Sequence, residues 1–124
     1  MGNLNKVYNT YINHEFESSS GLTPDFAAFA NSVKKALKKD CESVGLELVK
    51  FSRGHFDVTA FVRNPVIDKL VYVSIGDMRG GCCGHPLDQV LYRSAEHLKD
   101  YHGGHNNFTS LTSLVERLKS LTER

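Results

Sequence analysis

An α+β domain is the fold class this sequence predicts, and three observations predict it. Apolar residues recur at helical spacing up to about residue 45, at every second position between residues 46 and 93, and at helical spacing again near the C-terminus. At 124 residues and 40% hydrophobic composition, one core between two packed layers is the expected outcome, with no second domain. The segments are an N-terminal stretch (1–20), a long helix (23–45), about four antiparallel strands (46–93), a polar loop (94–108) and a C-terminal helix (109–124).

Leu4, Val7, Tyr8, Tyr11 and Ile12 suggest a short amphipathic helix, and the run from Glu17 to Gly21 breaks its pattern. Thr23-Pro24-Asp25 is a helix start: Thr can accept from an orphan N–H, Pro fits the first turn, and Asp suits the positive dipole end. Phe26, Phe29, Ala30, Val33, Leu37, Cys41 and Val44 keep to one face, and Gly45 is placed to stop the helix in a left-handed conformation. Lys34, Lys35, Lys38 and Lys39 lie off that face and read as its solvated side. Period two then runs through Leu46, Leu48 and Phe51, through Phe56, Val58, Ala60 and Val62, and through Leu70 and Tyr72 or Val71, Val73 and Ile75. Arg53-Gly54-His55 and Arg63-Asn64-Pro65 fit the turns, which makes the strands a meander packed by the long helix. A fourth strand is expected at 89–93. Thr109 or Ser110 would cap the last helix, whose stripe is Leu111, Leu114, Val115, Leu118 and Leu121.

Fifteen Lys and Arg against fourteen Asp and Glu leave a formal charge of +1, so no whole-molecule field draws the chain to a nucleic acid polymer or an anionic membrane. The apolar runs are too short to span a bilayer and the N-terminus has no signal pattern, which predicts a cytoplasmic protein. Three cysteines, two of them adjacent at Cys82 and Cys83, make no disulfide framework.

The densest polar segment runs from Arg93 to Phe108, between an expected strand and an expected helix start. Gly103 and Gly104 let backbone N–H groups approach a ligand, and Arg93 and Lys99 supply charge, a combination that suits a phosphate or pyrophosphate. Tyr101 and Phe108 offer stacking faces, and Asn106 or Asn107 could bond a base edge or ribose hydroxyl. An ordinary surface loop with a Gly-Gly turn has the same composition, and the spacing matches neither a Walker loop nor a dinucleotide fingerprint. Asp77 and Arg79 would share one face at the end of the third strand, to pair or to hold a ligand jointly. Cys82, Cys83, His85, His97, His102 and His105 lack the paired spacing of a zinc site, and a Cys-His-Asp set drawn from them is no more than a His-rich loop yields by chance. No catalytic residues, metal or cofactor are therefore assigned.

Gly54-His55-Phe56, the run Val71 to Arg79, the run Leu91 to His97, Lys99-Asp100-Tyr101 and the run Gly103 to Phe108 together resemble a block in the first described type of Thoeris anti-defence proteins of phages. The resemblance spans about the central half of the chain. It implies a sponge, a homodimer or larger, that sequesters a nucleotide second messenger of the glycocyclic ADP-ribose type, or a cyclic oligonucleotide, without cleaving it. The chain departs from that pattern after Arg79, where Gly80-Gly81-Cys82-Cys83-Gly84 stands in place of a tryptophan-bearing connection, and at Ser94 and His102. Membership in the block and side-chain chemistry together mark Phe56, Asp77, Arg79, Arg93, Lys99, Asp100, Tyr101, Gly103, Gly104, Asn106 and Asn107 as ligand-binding candidates. The alternative is a protein-interaction inhibitor of the anti-CRISPR kind, which needs a recognition surface and no small-molecule pocket.

Overall fold

Among the described residues, three helices pack on one face of a five-stranded antiparallel sheet whose spatial order follows the chain, β1-β2-β3-β4-β5. The computed structural model describes residues 2–14, 24–54, 57–76, 85–98 and 105–122. The strands are β1 (Glu47–Arg53), β2 (Val58–Asn64), β3 (Lys69–Ile75), β4 (Val90–Ala95) and β5 (Asn107–Thr109), and the helices are α1 (Asn3–Tyr11), α2 (Pro24–Ser43) and α3 (Leu114–Thr122). The fifth strand is the addition to the expected four. Three residues are too few to show a period, and β5 forms because Val90, Leu91 and Tyr92 of β4 offer it a ladder.

Helix α2 follows the apolar stripe: Phe26, Phe29, Ala30, Val33, Ala36, Leu37 and Cys41 are all buried. Its end is a Schellman turn. Gly45 has φ +83°, its N–H donates to the Glu42 carbonyl at 3.2 Å, and the Leu46 N–H donates to the Cys41 carbonyl at 2.8 Å. Helix α1 has no side-chain cap of its own at Gly2; instead Asp40 of α2 accepts from the backbone N–H groups of Asn3 and Leu4 at 2.9 and 2.8 Å. One carboxylate thus fastens two helices that are distant in sequence. Ser110 caps the C-terminal element through a hydrogen bond from the Thr112 N–H, and a 3₁₀ turn at Leu111–Ser113 leads into α3. The Lys119 ammonium donates to the Val44 carbonyl at 2.9 Å, which ties the ends of α3 and α2 together.

The helix-facing side of the sheet carries Val58, Ala60 and Val62 of β2, Val71, Val73 and Ile75 of β3, and Val90 and Tyr92 of β4, in one core with the helices. This settles the two readings of the third strand: Val71, Val73 and Ile75 face the helices, and Leu70 and Tyr72 face away. Both sets were legible as apolar because β3 is buried on both sides at its centre. The expected turn at residues 63–65 sits slightly later, since β2 runs on through Asn64 and residues 65–68 make the connection. Asn64 is buried there, and its side-chain oxygen accepts from the Val66 N–H at 3.1 Å, which starts that turn.

Candidate binding cleft

The face of the sheet turned away from the helices holds Phe61, Tyr72 and Arg93 directly opposite one another on β2, β3 and β4. All three are buried, Phe61 and Arg93 to 1% exposure. The Arg93 guanidinium carbon lies 4.7 Å from the centre of the Tyr72 ring, the Phe61 and Tyr72 rings are 5.2 Å apart, and the Lys50 ammonium lies 5.9 Å from the Phe61 ring. A row of cation, two aromatic rings and cation therefore crosses four strands, the arrangement in which each ring face meets positive charge.

Two residues further along on the same face, Arg63, Leu70 and Ala95 form a second row across β2, β3 and β4. This row lines a cleft of about 900 Å³ at the end of the sheet. Val49 adds an apolar wall; it sits where the β1–β2 register slips between Leu48 and Lys50, and such a bulge re-aims a side chain. Leu98, beyond the end of β4, also lines the cleft, and both Val49 and Leu98 remain exposed. The polar lining is Arg63, Asp68, Lys69, Ser94, Glu96 and His97. Arg63 is held by Asp68, whose Oδ1 accepts from the Nε–H at 2.9 Å and forms an ion pair with Nη2 at 2.9 Å, while Glu47 stands 3.9 Å from Nη1. Asp68 itself has φ +53°, a conformation that Asp tolerates better than most residues because its short side chain bonds locally.

The sequence candidates fall in three groups. Phe56, Asp77, Arg79, Lys99, Asp100, Tyr101, Gly103 and Gly104 lie outside the described residues. Arg93 lies inside the row of rings, not among the residues lining the cleft, and its Nη1 donates to the Ser94 carbonyl at 3.4 Å. Asn106 is exposed, and the Asn107 amide is engaged internally, donating to the His105 carbonyl at 3.1 Å and the Tyr92 carbonyl at 3.4 Å. The expected direct passage from the polar loop into a helix start is corrected by β5, which stands between residues 103–104 and the Ser110 cap. What the structure does bring together is the beginning of that polar segment, Ser94 to Leu98, with the β2–β3 end. Sequence reasoning read Arg63 as a turn residue and gave Asp68 and Lys69 no role. The signal that finds Arg63 is strand parity, since it falls in phase with Phe61, as Leu70 does with Tyr72; Asp68 and Lys69 are brought in by the turn beside it.

No protein-family model, curated protein or solved structure matches the chain. Among the described residues no three His, Cys, Asp or Glu side chains come together as a metal site would require. No helix among them is long and apolar enough to cross a membrane.

Proposed function

We propose that the protein is a binding module that takes up a small nucleotide signal in the cleft and holds it intact, so silencing the response that the signal would trigger. The observation that carries this reading is the cleft itself, whose volume of about 900 Å³ lies within the range of small-molecule sites and whose lining joins apolar and cationic groups. Leu70, Ala95, Val49 and Leu98 suit the flat face of a base, and Arg63 and Lys69 suit phosphate oxygens. The block that resembles Thoeris anti-defence proteins supplies Ser94 to His97 of this lining and is the ground for naming a glycocyclic ADP-ribose as the ligand. Sequestration needs no bond to be made or broken, and in this reading the protein works as an oligomer of itself in the cytoplasm of an infected bacterium.

The test is to incubate the purified protein with cyclic ADP-ribose isomers and cyclic oligonucleotides, remove free ligand, denature with heat and identify what is released. Release of an unaltered nucleotide is the expected result, and an altered one would make the protein an enzyme. The second reading, an inhibitor that binds a protein of a host defence complex, has one observation in its favour: Val66 and Phe108 are 87% and 61% exposed. Recovery of no nucleotide at all would put that reading first.

A further inference from the structure

We propose that Arg63 is the anion-binding group of this cleft and that Asp68 occupies its guanidinium until a pyrophosphate displaces it; the inference rests on the cleft being a binding site. Both residues line the cleft, and the hydrogen bond from the Arg63 Nε–H and the ion-pair contact of its Nη2 converge on a single carboxylate oxygen. That geometry leaves the two-pronged edge of the guanidinium only half matched, because a fork of N–H groups is best satisfied by two separate oxygens. Glu47, at 3.9 Å from Nη1, is too far for a hydrogen bond and completes nothing. The Asp68 side chain is 81% exposed and that of Arg63 40% exposed, so the pair sits in water, where such pairs are weak. A pyrophosphate brings several oxygens and more charge than one carboxylate, and Lys69 stands in the same lining to share it.

Two effects of Asp68 oppose each other. It holds the Arg63 side chain in one place, which favours binding, and it competes with and repels an incoming anion, which disfavours it. The second prevails: so exposed a carboxylate restrains little, whereas its charge is removed from the site only by displacement. The Asp68 carboxylate therefore acts as an internal competitor that admits only ligands of higher anionic charge than its own, and removing an acidic residue tightens binding of an anion.

The test uses inorganic pyrophosphate as the probe, titrated by calorimetry into wild type, Asp68→Asn, Arg63→Gln and the double variant. Asn keeps the shape and tolerates the positive φ of this turn position. Asp68→Asn should bind at least threefold tighter than wild type, Arg63→Gln at least tenfold more weakly, and Asp68→Asn should bring no gain once Arg63 is Gln. The Arg63 Nε–H resonance of wild type should shift as pyrophosphate is added, which keeps the inference open to refutation even where a variant folds poorly. An unchanged or weaker Asp68→Asn, a gain that persists without Arg63, or a wild type that does not bind pyrophosphate would each overturn it. If pyrophosphate binds at Arg63 while ADP-ribose binds no tighter, this inference stands and the nucleotide reading falls.

Discussion

Arg93 shows how a residue's burial can change its meaning. A guanidinium at the head of a polar loop looks like a phosphate ligand, yet here it is 1% exposed and stacked on Tyr72. Its substitution should therefore register first in stability: Arg93→Ala is expected to cost about 2–5 kcal/mol in urea unfolding, as for other large buried side chains cut to Ala. An unchanged midpoint would mean that the row of rings does not depend on it. Cys41 makes a different statement. Burial, and after it the charges of Asp40 and Glu42, push its thiol up to about 12. An unfolded chain releases that proton near 9.0, so the folded state binds the extra proton between the two values and stability falls as pH rises through that window. Tyr8, whose hydroxyl donates to Asp88 at 2.6 Å, is likewise raised above its usual 10.0 and adds to the loss at the upper end. Cys41→Ala removes only the first contribution. Its urea midpoint should fall less than that of wild type between pH 9 and 11; parallel decline in the two proteins would show that the thiol is not responsible.

Among the elements, α2 joins both other helices to the first strand. Its first two turns meet α1 and the residues just after it, through His14 and Asp25, whose side chains are 3.0 Å apart, and through the edge-on contact of Tyr11 with Phe29 at 4.9 Å. Its last turns provide the Asp40 cap for α1 and the Val44 carbonyl that receives Lys119. Phe29 and Leu37 face the core from turns about two apart on this helix and are fully buried. Phe29→Ala or Leu37→Ala should each cost about 2–5 kcal/mol, read as a lower urea midpoint with unchanged slope. Either variant matching wild type would remove the helix-on-sheet arrangement. Lys38, exposed on the opposite side of α2, is the control, and Lys38→Ala should change stability by no more than about 0.5 kcal/mol.

At the scale of the whole molecule, the cleft lies at one end of the sheet and not deep within it, and Val49 and Leu98 leave apolar surface exposed beside it. A ligand with a base and two phosphates would keep one side in water unless a neighbouring copy closed over it, and ligand sites are common between packed units. Light scattering at micromolar concentration should accordingly give at least twice the chain mass of 13.9 kDa. A species of 13.9 kDa alone, with ligand bound, would show that one chain suffices.

The amino-acid sequence by itself determined the class of fold, the long helix with its stop at Gly45, the meander and a cap at Thr109 or Ser110, of which the structure uses Ser110. Each of these follows from contacts between residues close in the chain: a helical face from spacing of three and four, a strand face from spacing of two, a cap from one hydroxyl beside one free N–H. It also drew attention to the segment that begins at Arg93, of which Ser94 to Leu98 do line the cleft. Tertiary structure alone decided that β3 is buried on both faces, that Asp40 caps a helix whose start lies 37 residues away, and that Arg93 turns inward while Arg63 lines the cleft. Those outcomes depend on which strand lies beside which, and in what register. A one-residue shift of register would send Arg63 to the helix side; the alternation of Val58, Ala60 and Val62 opposes that shift, but nothing local in β2 records which strands bring Leu70 and Ala95 beside it.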